Sequence, residues 1–385
     1  MGSAMRVLMV STYPPQRCGI AEYTRALVRE LSGRYGVSVV VFAEKRSWTR
    51  TLVALDGRAL VVRGWSRRGR IDLLRALRLL ASFKPDIIHI QHEYGLFKSR
   101  LAFTLGLLFL KLLGFKIVVT LHTVCDVLQM AKRGISPTWD KIISRLADAA
   151  IVHTIRSAKL LRAYGWDKNR CTVIRHGASE TDGITDLSGR EKVDVLFIGF
   201  ITPRKGVDLV IDALSRLRDD GVDNWTFTVA GFPHPASLER DLPYLRRVLR
   251  KIAESRLGEK VRLIIEYLSY EKMEKLLKEA DIVVLPYREL HGASGILRLV
   301  AAHGKAVVVS DVGEFSEEIR DMVNGLVFKP GDIEELADKL KLAILDDSLR
   351  NKLGQELYRT IAARNTWRNV AKLTVEVYER VLYGH

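Results

Sequence analysis

The stretch STYPPQRCGIAEYT, Ser11 to Thr24, joins two segments of different character. Before and into it runs RVLMVS (6–11), an apolar run of strand length. Within and after it runs AEYTRALVREL (21–31), with apolar residues at helical spacing. A strand, a corner of proline and glycine, and a helix make the unit from which parallel sheets are assembled. The unit then repeats. VSVVVFA, DIIHIQH, KIVVTLH and AAIVHT read as strands, with IDLLRALRLLASF and RLAFTLGLLFLKLL as helices between them. These strands are continuous apolar runs, the pattern of a parallel sheet covered on both faces.

HGASETDGITDLSGREK (176–192) breaks the rhythm with Gly, Ser, Thr and Asp and almost no apolar mass, as a linker does. The alternation then restarts with VDVLFIGF, WTFTVAG, VRLIIE, ADIVVLPY, KAVVVSD and GLVFKP, and three helical stretches close the chain. The expected fold is therefore α/β: two doubly wound, Rossmann-like parallel-sheet domains. The domains span 5–177 and 193–364, with a linker at 178–192 and a final helix at 365–385. Ligands of open α/β sheets bind beyond the carboxyl ends of the strands, so such domains are expected to face a common cleft.

Bulk properties narrow the function. A chain of 385 residues, 48% hydrophobic, suits two domains. The leading MGSA reads as an expression remnant, and RVLMV is too short for a secretory signal. Three cysteines with no CxxC spacing argue for a reducing, cytoplasmic setting and against a disulfide framework or structural zinc. The balance of 61 basic to 45 acidic residues, +16, favours anionic partners, or else marks the charged surface of a thermophile protein. No basic run interleaved with aromatics is present, so nucleic acid is not expected. LAFTLGLLFLKLLGF (101–115) is apolar on all sides but too short to span a bilayer. It reads first as a helix buried between domains, and second as one resting on the inner face of a membrane.

The strand ends supply the candidate site. Gly19 opens a helix whose first amides favour an anion, with Tyr13, Gln16 and Arg17 in the same corner. Gln91, His92 and Glu93 follow DIIHI, and His122 follows KIVVTL. In the second half, GFITPRKG places Arg204 and Lys205 beside a helix start, a phosphate clamp in pattern. Ser294, Gly295 and Ile296 open another helix, a second anion cradle. No acidic pair stands at a strand end, so neither a metal nor another cofactor is expected.

Taken together, these segments resemble the GT-B glycosyltransferases of retaining family 4. The marks are Gly19, VVTLHT, VIRHGAS, TPRKG, ADIVVLPY, GKAVVVSDVGEFSEEI and NGLVFKPGD, in that order over essentially the whole chain. The resemblance implies metal-free transfer of a hexose from a nucleotide-diphosphate sugar, GDP-mannose or UDP-glucose, with retention. The acceptor implied is a sugar, a phosphorylated molecule or a lipid-linked glycan, held by the N-terminal domain, while the C-terminal domain holds the nucleotide. It implies that Lys205 contacts the diphosphate, that His122 lies near the sugar as the catalytic candidate, and that Gly19 lets the donor approach. It also implies a last helix that returns to the N-terminal domain.

Two departures stand out. Phe200 occupies the place of the family's loop arginine, with Arg204 as a substitute charge. His291 and Leu299 occupy the places of two glutamates, with Glu289 close to the first. The departures keep open a non-catalytic, nucleotide-sugar-binding partner subunit. A protein that binds polyanions or membrane surfaces is the third reading.

Overall fold

The computed structural model describes residues 4–46, 52–67, 71–132, 134, 136, 138–181 and 191–384. The chain divides into two compact units. The first comprises Met1–Gly177, His291–Ala293 and Trp367–His385; the second comprises Ala178–Leu290 and Ser294–Thr366.

The first unit holds β1 (Arg6–Ser11), β2 (Ser38–Glu44), β3 (Val53–Asp56), β4 (Ala59–Trp65), β5 (Ile87–His92), β6 (Lys116–Leu121), β7 (Ala149–Val152) and β8 (Cys171–Val173). Their order in the sheet is β3-β4-β2-β1-β5-β6-β7-β8. All pairs are parallel except β3 with β4. That hairpin was not expected from sequence, although Asp56-Gly57 between two apolar runs is a strong hairpin signal. The helices are α1 (Gly19–Arg34), α2 (Leu73–Phe83), α3 (Arg100–Leu112), α4 (Val127–Lys132), α5 (Thr138–Leu146) and α6 (Ile155–Ala163).

The second unit holds β9 (Val193–Ile198), β10 (Trp225–Gly231), β11 (Val261–Ile265), β12 (Ile282–Leu285), β13 (Ala306–Ser310) and β14 (Leu326–Phe328). All are parallel, in the order β11-β10-β9-β12-β13-β14. Its helices are α7 (Val207–Asp219), α8 (Leu238–Glu254), α9 (Tyr270–Glu279), α10 (Gly295–Ala302), α11 (Glu314–Glu318), α12 (Ile333–Leu345) and α13 (Asp347–Leu357). α14 (Trp367–Tyr383) belongs to the first unit and sets Val370, Ala371, Val377 and Tyr378 into the core that α1 shares.

Each sheet is apolar on both faces. In the first unit Val7, Met9, Val39 and Val41 face α1 and α14, while Leu8, Val40, Ile88 and Ile90 face the opposite helices. The second sheet divides likewise: Val195, Phe197 and Val229 point one way, and Leu196, Ile198 and Ala230 the other. Side chains alternate along a strand, so an unbroken apolar run buries both faces at once.

Two expectations change. Ala178–Thr181, the start of the expected linker, belongs to the second unit: the Ala178 amide donates to the Asn365 carbonyl and the Thr181 hydroxyl to the Ala302 carbonyl. Residues 182–190 of that linker lie outside the described residues. The apolar helix α3 is largely exposed. Among its residues only Leu107 is buried, because one side of the helix covers the sheet of its own unit while the other carries exposed Leu101, Leu105 and Leu112. No described helix is long and apolar enough to cross a membrane.

Candidate functional site

In the first unit the corner after β1 is organised from within. Tyr13 is buried and its hydroxyl donates to Asp56 at 3.0 Å. Gln16 is buried and its amide donates to Glu44, a carboxylate that Arg67 also holds at 3.0 Å. Both residues were expected to touch donor or acceptor. In the structure both side chains are engaged within their own unit, where they brace the loop against β2–β4. Arg17 and Gly19 are exposed. A Cβ built on Gly19 meets nothing within 4 Å, so the opening of α1 is bordered by empty space.

The strand ends β5 and β6 divide their polar residues by face. His122 follows β6 and lies 2.9 Å, through Nε2, from Oε1 of buried Gln91. Its Nδ1 lies 3.2 Å from Nε2 of His153, whose own Nδ1 is 2.8 Å from the Ile174 carbonyl. Tyr23 packs its ring against His122, His153, His176 and Trp367, at centroid distances of 4.8, 5.2, 5.2 and 5.0 Å. Burial, reinforced by the neighbouring imidazoles, holds the His122 pKa well below the usual histidine range. At neutral pH the ring is an uncharged dipole with both nitrogens engaged. Thr123 bridges to Gly292, and a Cβ on Gly292 would stand 2.2 Å from the His122 carbonyl oxygen. Half-exposed His291 belongs to this same unit.

His92 points the other way. Its ring stacks on Phe97 at 5.7 Å and lies 5.3 Å from Phe103, and its Nδ1 has no partner among the described residues. Period-two alternation sends adjacent strand residues to opposite faces, so His92 cannot join Gln91 and His122. Glu93 accepts the Gly95 amide at 2.7 Å and closes its own turn.

The His92 box has a pH consequence. Burial pushes the His92 pKa down to about 3. The unfolded chain binds that proton below about 6.5, so this part of the stability is present above pH 6.5 and lost as pH falls toward 3. His92→Phe keeps the ring shape and removes the proton site. It is expected to raise stability at pH 5 relative to pH 8 by about 2 kcal/mol. Denaturant unfolding at the two pH values checks this, and parallel losses in variant and parent would refute it.

In the second unit the site forms where β9, β12 and α10 end or begin. A 3-10 turn, Pro203–Lys205, precedes Gly206, whose φ is +70°. A Cβ on Gly206 would stand 2.1 Å from the Pro286 carbonyl oxygen, so only glycine lets the loop fold this tightly. Arg288 fastens the loop. Its amide donates to the Arg204 carbonyl at 2.8 Å, and its guanidinium donates to the Pro203 carbonyl and, by two nitrogens, to Asp208. Tyr244 also donates to Asp208, which stays ionised at a pKa below the usual carboxylate range because these donors outweigh its burial.

Lys205 Nζ lies 3.7 Å from the centre of the Tyr287 ring, and no acidic side chain among the described residues pairs with it. Burial, and then the charge of Arg204, hold its pKa well below the usual lysine value. A cation in that position is stabilised by the ring and by any anion that arrives. Arg204 and Glu289 are exposed. Phe200 gathers with His234 at 4.5 Å and Tyr267 at 6.2 Å, an aromatic group just beyond β9–β11.

Ser294 caps α10, accepting from the Leu297 amide at 3.3 Å. Its own amide is already taken: it donates to Glu314 at 2.6 Å. Glu314 is fully buried and also pairs with Arg298, which binds Glu318 as well. The expectation that the Ser294 amide would meet a phosphate is therefore corrected: an internal carboxylate satisfies it. The amides of Gly295 and Ile296, in the first turn, have no carbonyl partner within the helix and remain the candidates for a ligand. Leu299, at the place of a family glutamate, is buried in the apolar core.

Sequence reasoning missed Tyr287, His153 and Arg288. The first two stand at strand ends, ADIVVLPY and AAIVHT, where the carboxyl-end rule points to them. The Arg298–Glu314 pair, 16 residues apart, leaves no local sign.

Comparison with known proteins assigns both units. Residues 18–181 match the family described as Glycosyltransferase Family 4, and residues 186–360 match Glycosyl transferases group 1. The chain belongs to glycosyltransferase family 4. Similar members of the wider group include an uncharacterized glycosyltransferase of Methanocaldococcus jannaschii, 26% identical over 55% of this chain and 54% of that protein. A D-inositol 3-phosphate glycosyltransferase of Salinispora tropica is 27% identical over 81% of this chain and 67% of the relative. The chain thus spans about half to two thirds of the length of these curated relatives. Among solved structures, sucrose-phosphate synthase from Thermosynechococcus elongatus superposes with a TM-score of 0.81 at 17% identity, covering 99% of this chain and 100% of that one. Anabaena HepE in complex with UDP-glucose gives 0.73 at 17% identity, over 97% and 98%. These likenesses establish the GT-B fold of this family-4 chain.

Proposed function

We propose that this protein transfers a hexose from a nucleotide-diphosphate sugar to a sugar, phosphorylated or lipid-linked acceptor, with retention and without a metal. Lys205 carries the reading: an amine beside an aromatic ring, with no carboxylate partner among the described residues, in a loop that Arg288 and Gly206 hold rigid. Breaking a sugar–phosphate bond builds negative charge on the departing diphosphate. Preorganised Lys205, Arg204 and the first amides of α10 would stabilise it as it forms. Phe200, His234 and Tyr267 offer the base a surface on which to stack. GDP-mannose and UDP-glucose are the proposed donors; a similar solved structure holds UDP-glucose, and a relative named for D-inositol 3-phosphate supports the phosphorylated acceptor. His122 contributes an uncharged dipole beside the sugar in this reading.

A thermal-shift screen of UDP, GDP, ADP and their sugars, with and without EDTA, tests it. Stabilisation by one diphosphate, insensitive to EDTA, is the expected outcome; no shift with any nucleotide would defeat the donor site. Binding without turnover would favour the non-catalytic partner, the reading to which buried Leu299 lends support.

Gly19 gives a second test. Its surroundings leave room for a side chain, so Gly19→Leu is expected to fold normally. It is expected to lower transfer by about 100-fold, the effect of a small misplacement of reacting groups. Initial rates with the identified donor check this, and a rate within twofold of the parent would remove Gly19 from the site.

A further inference from the structure

We propose that the outer face of α3 docks on an anionic lipid bilayer. The helix is apolar on two opposite sides. Its inner side sends Phe103, Leu107 and Leu110 into the core of the first unit. Its outer side carries Leu101, Leu105, Leu108, Phe109 and Leu112, with exposures between 41% and 78%. Positions i, i+4, i+7, i+8 and i+11 form one continuous stripe on a helix. Singly exposed leucines are ordinary, but a stripe of five large apolar side chains marks an interaction surface. α2, which covers the same sheet face, adds exposed Leu73 and Leu74 at 60% and 70%.

Charge selects the occupant. Neither α2 nor α3 contains an acidic residue. Arg78 on α2 is exposed, as are Lys84, Lys98 and Lys116 near the helix ends. The whole chain carries +16. A second copy meeting this face would bring like charge to like charge, whereas an anionic bilayer supplies the opposite sign. At 13 residues α3 is about 20 Å long, shorter than the roughly 30 Å apolar core of a bilayer. It therefore lies in the plane of the surface, held by the fold beneath it. The inference does not depend on the donor site.

Flotation of the full chain with phosphatidylcholine vesicles, with and without phosphatidylglycerol, is the test. The parent is expected to float with the anionic vesicles, and less as salt rises. The variant Leu105→Gln/Phe109→Gln/Leu112→Gln is expected to lose binding by at least about tenfold with an unchanged melting curve. Lys98→Gln/Lys116→Gln, at exposed positions that no packing depends on, is expected to weaken it several-fold. The proposal is overturned if the parent stays in solution, if the triple variant floats equally, or if the parent binds neutral vesicles as well as anionic ones. It is also overturned if the parent is a dimer that the triple variant converts to a monomer while neither binds vesicles.

Discussion

Lys205→Ala is expected to lower kcat/KM for the nucleotide-sugar by about 100- to 1,000-fold, the usual cost of deleting one preorganised donor to a developing anion. The melting temperature should not fall. Lys205 has no carboxylate partner among the described residues, and burial already depresses its pKa, so the free protein bears a cost for holding the charge there. An arriving diphosphate removes that cost by pairing with the ammonium. Diphosphate binding favours the charged lysine, so affinity should weaken as pH rises above the lowered pKa of the free protein. Titration calorimetry of the parent and the variant in two buffers of different ionisation enthalpy checks both points. Unchanged diphosphate affinity in Lys205→Ala would show that the lysine is a packing residue over Tyr287 and nothing more.

Arg298→Met is expected to cost about 3–5 kcal/mol of stability, the range for removing one member of a buried ion-pair network. Arg298 is 1% exposed and is shared by Glu314 and Glu318, while Glu314 also accepts the Ser294 amide. Without the guanidinium two carboxylates are left beside each other in the interior. Replacing all three by apolar residues of similar size should recover most of the loss, since well-packed hydrophobic substitutes for buried ion pairs are often neutral or better. Thermal unfolding checks this: the single variant should melt roughly 10 °C lower and the triple variant close to the parent. The triple variant also frees the Ser294 amide. If the first turn of α10 binds the donor, nucleotide affinity should change there even where stability has recovered. A single variant that melts with the parent would mean that the pair is open to water and not part of the core.

Much of the fold was legible because parallel strands announce themselves locally. RVLMVS, DIIHIQH, KIVVTLH, VDVLFIGF and ADIVVLPY are unbroken apolar runs, and a run buried on both faces needs no partner in view to be recognised. The carboxyl-end rule then singled out Gly19, His122, Lys205 and Ser294. It could not separate Gln91 from His92, since which face a residue takes depends on the register of its neighbours. It also could not tell a loop residue that meets a ligand from one that braces the loop. Tyr13 and Gln16 illustrate this: their bracing partners, Asp56 and Glu44, lie 43 and 28 residues away, beyond the reach of local pattern.

The two α/β halves, the strand ends that could carry chemistry and the basic charge of the whole are legible in the residues alone. These follow from local periodicity and composition, which act over a few residues. The tertiary structure alone decided which polar groups are already paired. It gave the Ser294 amide to Glu314, set His122 between Gln91 and His153, and left Lys205 over Tyr287 with no carboxylate among the described residues. It also turned half of an all-apolar helix outward. A helix that is apolar all round does not say which side is covered; that depends on elements far away in the chain, and for α3 the sheet of its own unit takes the side of Phe103, Leu107 and Leu110.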